Sequence, residues 1–154
     1  MTSEEVRESI VFFFDVIEGN YSLEGREANL RLALDRLALA VHYTDGAFDE
    51  TDYPEAPSRE YKVVRELVSP NFPDLGYYNV VLGITEKIGE GQCAVGDAID
   101  DICDIARELE AVLWCWENTS VHDALWHFKF GFESHWGQHL RDLQLYLYAK
   151  EYGW

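Results

Sequence analysis

The chain of 154 residues carries 12 lysines and arginines against 29 aspartates and glutamates, which gives a formal net charge of −17 with neutral histidines. Hydrophobic residues make up 47% of it, enough for a core, because a domain of about 150 residues buries roughly 70% of its unfolded surface. These values exclude disorder for most of the chain and predict one domain over residues 1–154. A charge this negative repels phosphate, so we expect neither nucleic acid nor an anionic membrane as a partner.

Helical periodicity predicts three helices in the first half of the chain. The first begins at Ser3 and ends at Gly19–Asn20, the second runs from about Leu23 or Glu27 to Tyr43, and the third begins near Ser58 and stops before Pro70. Residues 45–58, called the acidic loop below, contain Pro54 and Pro57 and no helical period. They predict an exposed, negatively charged connection.

The second half of the chain predicts two longer helices. Residues 71–78 indicate an ordered turn, residues 80–84 fit either a brief strand or a turn of helix, and residues 89–96 predict a glycine-rich loop. A fourth helix follows from Asp97 to about Trp116, and a last one runs from about Ser120 to Tyr152, with Gly131 and Gly137 as points where it bends. We therefore predict an all-α fold, an antiparallel bundle of four to five helices with a long C-terminal central helix.

The cysteines and the N-terminal residues indicate a cytoplasmic protein. Cys93, Cys103 and Cys115 form no C-x-x-C pair and enclose no clustered histidines, so we expect reduced thiols rather than a zinc site. The first eight residues are acidic where a signal peptide is basic, and the apolar run at residues 10–14 is too short to cross a bilayer.

Four carboxylates of the fourth helix share one face and are called the acidic rail below. They are Asp97, Asp101, Asp104 and Glu108, at positions i, i+4, i+7 and i+11. Because this face is opposite the apolar stripe, we expect it to point into water. It then serves as a solvated surface, or it joins the acidic loop in steering a basic protein partner, or its carboxylates hold a divalent cation. The loop residues in question are Asp45, Asp49, Glu50, Asp52 and Glu55.

Two enzyme families with acidic helices offer weak comparisons. Asp100, Asp101 and Asp104 spell the D-D-x-x-D pattern of prenyl-diphosphate enzymes, but those enzymes need a second acidic helix and a far longer chain. The all-α nucleoside triphosphate pyrophosphohydrolases are nearer in size, yet their pairing of an E-E-x-x-E element with an E-x-x-D element is absent here, because the chain contains no E-x-x-D. Both therefore stay minor alternatives.

Residues 126–139, called the histidine segment below, hold five Phe or Trp residues, three histidines and two glycines. Both sides of this helix carry residue types that are usually buried, which predicts a position in the middle of the bundle. His135 and His139 stand four residues apart, a spacing that suits one metal ion, with Asp142 as a third ligand. Glu133, which lies among aromatic residues, must be paired or neutral if it is buried. Its candidate partners are Arg31, Arg36, Arg107 and His42.

A family resemblance rests on two stretches, F-E-S-H-W-G-Q-H at residues 132–139, preceded by Trp126 and Phe130, and residues 72–78, F-P-D-L-G-Y-Y. They resemble an uncharacterised bacterial family of small acidic proteins, a domain of unknown function, over about residues 5–150. The resemblance implies an all-helical single domain and transfers no activity or catalytic residue.

The leading hypothesis is a non-catalytic interaction protein, comparable to an immunity protein or antitoxin, that presents the acidic rail and the acidic loop to a basic protein partner. It requires no cofactor. The alternative is a metal- or small-ligand-binding bundle, such as a metal-dependent hydrolase, that uses His135, His139 and carboxylates. A third hypothesis is homodimerisation through aromatic surface. Phosphate-binding loops, dinucleotide-binding turns and nucleophile elbows are missing from the sequence.

Overall fold

The computed structural model describes residues 1–154 and is mostly helical. Two strands form a small antiparallel sheet, and a five-residue π-helical turn joins the last two helices. In chain order the elements are α1 (Ser3–Ile17), α2 (Leu23–His42), α3 (Tyr61–Val68), a 3₁₀ turn (Ser69–Asn71), β1 (Tyr77–Leu82), β2 (Gln92–Asp97), α4 (Ala98–Asn118), α5 (Val121–Gly131), the π-turn (Phe132–Trp136) and α6 (Gly137–Tyr152).

The helices form where apolar periodicity and end-capping agree. Thr2 and Glu5 make a reciprocal capping box at the start of α1, which satisfies two backbone N–H groups that helix geometry leaves without partners. The apolar stripe of α1, including Ile10 and Phe13, packs into one continuous core of 31 buried hydrophobic residues. That core also receives the apolar faces of α2, α4 and α6.

The β-hairpin corrects the all-α expectation. Tyr77 pairs with Asp97 and Leu82 with Gln92, so the undecided segment at residues 80–84 contributes to a strand, and residues 92–97 are a strand rather than the end of a glycine-rich loop. The connection between the strands contains Gly83 and Gly89, both with positive φ. Such conformations suit glycine, which explains the glycines between the two strands. Strand pairing, in contrast, is a non-local contact that periodicity does not reveal.

Helix α4 is the most central element, rather than the C-terminal helix for which the sequence predicts that position. Asp97 caps it by accepting hydrogen bonds from the backbone N–H groups of Ile99 and Asp100. The helix packs against α1, α3, α5 and α6, and ten of its residues are buried, compared with four in α6. Side chains on most faces of α4 therefore meet other parts of the molecule.

The histidine segment is not surrounded by core on all sides. Phe128 and Trp136 are fully buried, but Trp126 and Phe130 stack on each other at the surface, with Phe130 52% exposed. Phe48 from the acidic loop covers the outer edge of Trp126, with ring centroids 5.1 Å apart. This aromatic stack packs the loop onto α5, so the expectation of a helix buried on every side was wrong.

Residues 45–60 contain no helix or strand. Asp49 fastens the acidic loop to α5, because its carboxylate accepts hydrogen bonds from Ser120 and from the hydroxyl of Tyr53.

None of the six α-helices has the combination of length and apolar composition that spanning a membrane requires.

Candidate functional site

Three of the four carboxylates of the acidic rail, those of Asp101, Asp104 and Glu108, face the C-terminal helical segment. Asp101 is buried at 6% exposure, and Asp104 and Glu108 are partly buried. Asp101 bonds His139 and Glu108 bonds His135, so residues further along α4 meet residues earlier in the C-terminal segment. The two segments are antiparallel here, and the expectation of a water-facing rail was wrong because α4 is central.

Asp101 and His139 form the centre of a buried polar network. Nδ1 of His139 lies 2.8 Å from Oδ1 of Asp101, and because a carboxylate only accepts, Nδ1 is the donor. The hydroxyl of Tyr78 donates to the other carboxylate oxygen. This hydrogen bond to Asp101 raises the pKa of His139 above its ordinary value, against the opposing effect of burial. Burial and the same carboxylate raise the pKa of Tyr78.

The hairpin positions the side chain of Tyr78 at this site. Its ring stacks on Tyr146 of α6, with centroids 4.7 Å apart and planes at 22°. On the other side it covers Gly96 of β2, where an added Cβ would lie 2.7 Å from Cζ of Tyr78. Glycine is therefore required at position 96, because a methyl group would occupy the space of the ring.

The π-turn places His135 on the same side as His139. The two imidazole centroids are 5.0 Å apart, and Nδ1 of His135 lies 2.9 Å from Oε1 of Glu108. At Gly137, which follows the turn, an added Cβ would lie 2.2 Å from the carbonyl oxygen of Phe132, so the backbone approaches itself too closely for any side chain. Single π-turns within α-helices are rare and occur often at functional sites.

The N-terminal end of the rail is neutralised by α3. Arg65 lies 2.8 Å from Asp97 and 3.9 Å from Asp100. Tyr61 accepts a hydrogen bond from Arg65 and donates one to Asp100; burial, together with Asp100, raises the pKa of Tyr61 to about 12. Asp97 and Asp100 therefore form ion pairs within the molecule, so the Asp97 carboxylate already has a cationic partner.

One cluster has the composition of a metal centre. Asp104, His135 and His139 each offer a ligand atom, and these atoms lie within 4.8 Å of one another; Nε2 of His139 is 3.5 Å from Oδ2 of Asp104. Burial raises the pKa of Asp104 above its ordinary value, while the neighbouring His139, His135 and Arg107 act in the opposite direction. Two imidazoles and a carboxylate suit zinc and neighbouring transition metals.

Two cavities meet at the cluster. His135 and His139 line a cleft of about 410 Å³ between the hairpin and the C-terminal segment. Asp104 and His135 also line a smaller cavity of about 220 Å³ beside Pro57 and Arg107. The cluster is thus open to small molecules, and the larger cleft carries further carboxylates. They belong to Asp97, Asp100, Asp101, Glu133 and Asp142.

The remaining predicted site residues are divided between the cleft and the surface. Asp142 lines the cleft, where burial raises its pKa, but Asp104 takes the place in the cluster that the sequence suggested for Asp142. Glu133 lines the cleft with an exposed side chain and has no arginine or histidine partner, so the pairing that burial would require does not arise. Glu50 and Asp52 of the acidic loop are exposed, and Asp49 is partly buried.

Sequence reasoning missed the contributions of Tyr78 and Gly96, and it placed Asp104 and Glu108 on the wrong side of the molecule. The available signal was the pair of spacings: two histidines four residues apart and carboxylates repeating along one face of α4. Those spacings allow histidine–carboxylate pairs when two helices pack side by side. Periodicity alone does not state which helices are neighbours.

Comparison with known proteins identifies the family but no activity. No curated protein matches the chain. Protein BF1032 from Bacteroides fragilis, known from a crystal structure, has a similar fold, with a TM-score of 0.70, 16% sequence identity, and coverage of 96% of this chain and 87% of that one. The family model described as "Domain of unknown function (DUF5063)" matches residues 30–152. The chain therefore belongs to the DUF5063 family.

Proposed function

We propose that this protein binds a divalent transition metal ion at Asp104, His135 and His139 and uses it for Lewis-acid or hydrolytic chemistry on a small molecule in the 410 Å³ cleft. The observation that carries the proposal is that both histidines are oriented by carboxylates at Nδ1. Metal-binding histidines commonly have such a partner on one ring nitrogen, which fixes the ring and leaves the other nitrogen for the metal.

The number of ligands supports a reactive centre over a structural one. Structural zinc sites usually have four protein ligands, whereas catalytic sites have three and keep one position for water or substrate. Here three side chains converge, and cavities adjoin them. A metal ion would also compensate Asp104, whose carboxylate is half-buried beside the other acids of α4.

Calorimetric titration of the metal-stripped protein with Zn²⁺ tests the ligand set. His139→Ala and Asp104→Asn should each abolish one binding equivalent, while His122→Ala, an exposed histidine outside the cluster, serves as the matched control. Asp142→Asn separates the two candidate triplets. Retained binding in Asp104→Asn together with lost binding in Asp142→Asn would refute the proposed centre in favour of the set suggested by sequence spacing.

The open coordination position has its own measurement. Mn²⁺ bound at the cluster should enhance water proton relaxation, because an ion with three protein ligands keeps exchangeable water. His139→Ala should remove the enhancement. Mn²⁺ binding without exchangeable water would contradict a reactive centre and leave the ion a structural role.

A second proposal is that the acidic loop binds a basic protein partner, as an immunity or antitoxin protein does. It is supported by four exposed loop carboxylates that lack any ion pair within the chain, those of Asp45, Glu50, Asp52 and Glu55. Unpaired surface carboxylates accelerate association with a cationic partner.

Pull-down from cell lysate with a loop variant tests this second proposal. Replacing the four loop carboxylates by their amides should abolish recovery of a basic protein. The matched control makes the same change of charge at exposed carboxylates elsewhere, at Glu24, Asp74, Glu86 and Glu90. Equal recovery by both variants would remove the acidic loop from consideration.

A further inference from the structure

We infer that Cys115, Asp123 and His127 form a second metal site, which binds Zn²⁺ or Co²⁺ and joins the end of α4 to α5. Each residue offers one ligand atom, and these atoms lie within 4.8 Å of one another. The inference is independent of the proposed centre at Asp104, His135 and His139, because the two clusters share no residue.

The backbone brings the three side chains together by simple helix geometry. Cys115 lies in the last turn of α4, while Asp123 and His127 stand four residues apart on α5. Residues at that spacing share one helix face. Nε2 of His127 is 3.6 Å from Oδ1 of Asp123, a separation close to the roughly 3.4 Å expected for two ligands on a tetrahedral ion with bonds of about 2.1 Å.

The carboxylate of Asp123 lies in surroundings that favour a cation. Asp123 is 7% exposed, and no lysine or arginine forms an ion pair with it. Its Oδ2 atom lies 2.7 Å from the hydroxyl of Thr119, which leaves Oδ1 for His127 or a metal ion. A buried carboxylate needs compensation by charge or by several hydrogen bonds, and a divalent ion supplies the charge.

The donor set selects the class of metal. Thiolate, imidazole and carboxylate together suit Zn²⁺ and Co²⁺ better than Mg²⁺ or Ca²⁺, which prefer oxygen ligands alone. Cys115 is buried and His127 is exposed, so the ion would enter from the His127 side and keep a fourth position towards water. On binding, the S–H bond of Cys115 breaks, its proton passes to solvent, and a metal–sulfur bond forms.

Cobalt absorption distinguishes this site from the first one. A thiolate bound to Co²⁺ gives a sulfur-to-metal charge-transfer band in the near ultraviolet, and the cluster of Asp104, His135 and His139 contains no sulfur. We expect this band when Co²⁺ is added to the reduced, folded protein. The band should persist in His139→Ala, so the first centre can fail without affecting the second.

Three variants complete the test. Cys93→Ser removes the exposed thiol and should leave the band unchanged. His127→Ala should weaken Co²⁺ binding at least about tenfold, since even residues behind a ligand cost 10- to 100-fold when lost, while His122→Ala should bind as the unaltered protein does. Three results would each overturn the inference: absence of the band in the folded protein, loss of the band in Cys93→Ser, or unchanged Co²⁺ affinity in His127→Ala. Because His127 is exposed, its replacement tests the site without disturbing the core.

Discussion

Replacing Gly96 by alanine should disrupt the polar network at a distance from its charged members. The added Cβ would lie 2.7 Å from Cζ of Tyr78 and 2.9 Å from Cγ2 of Val80, so the tyrosine ring has to move. Moving it weakens the stack on Tyr146, worth about 0.5–1.5 kcal/mol, and the hydrogen bond to the Asp101 carboxylate, worth about 1.5–3 kcal/mol. We expect the free energy of unfolding to fall by about 2–4.5 kcal/mol.

Urea unfolding followed by circular dichroism measures this loss, with Gly76→Ala as the matched control, because no atom lies within 4 Å of a Cβ added at Gly76. The control should stay within about 0.5 kcal/mol of the unaltered protein. In a Tyr78→Ala background the cost of Gly96→Ala should shrink to the part that comes from Val80. Equal stability of the two glycine variants, or an undiminished cost in the Tyr78→Ala background, would refute the proposed role of the hairpin.

Three further predictions concern charge, thiols and the π-turn. Asp101 raises the pKa of His139 above 6.5, so charged His139 stabilises the metal-free fold below about pH 6.5, and this contribution is lost as the pH rises through the folded-state pKa. Asp101→Asn should lower that pKa and flatten the pH dependence of stability, as measured by NMR titration and urea unfolding. An unchanged titration of His139 would contradict the pairing. Burial raises the pKa of Cys103 to about 12 and of Cys115 to about 11. A thiol reagent should therefore modify only the exposed Cys93 quickly in the native protein, and all three cysteines in denaturant. Rapid reaction of a second thiol in the native protein would contradict the packing of Cys103 and Cys115. Gly137→Ala should destabilise the protein by about 3 kcal/mol, because the added Cβ meets the carbonyl oxygen of Phe132. Gly25 is a helical glycine with ordinary contacts, so Gly25→Ala should be neutral or stabilising. Similar unfolding midpoints for the two variants would argue against the π-turn.

Local features of this protein were predictable because short-range physics sets them. The stripe of Val6, Ile10 and Phe13 predicts α1, and the break after Val68 follows from Pro70, since proline lacks the N–H that a helix needs. Asp97 and Ser120 were expected at helix starts, and both cap helices. Family membership was also recognisable from the sequence.

The hairpin depended on contacts that no local pattern contains. Residues 92–97 have few strand-forming side chains and include Gly96, so they indicate a loop when considered alone. They form a strand because β1 pairs with them and because Tyr78 needs the space above Gly96. The stabilisation of this strand therefore comes from a partner about 18 residues away in the chain, which periodicity cannot detect.

The amino-acid sequence by itself determined the helices, their caps and the fact that four carboxylates share one face of α4. Tertiary packing decided what that face meets. Because α4 lies at the centre, Asp101, Asp104 and Glu108 are placed against His135 and His139, with carboxylate oxygens 2.8–3.5 Å from the imidazole nitrogens. A helix specifies the direction of its side chains relative to one another, and only the neighbouring helices specify whether that direction leads to water or to a histidine.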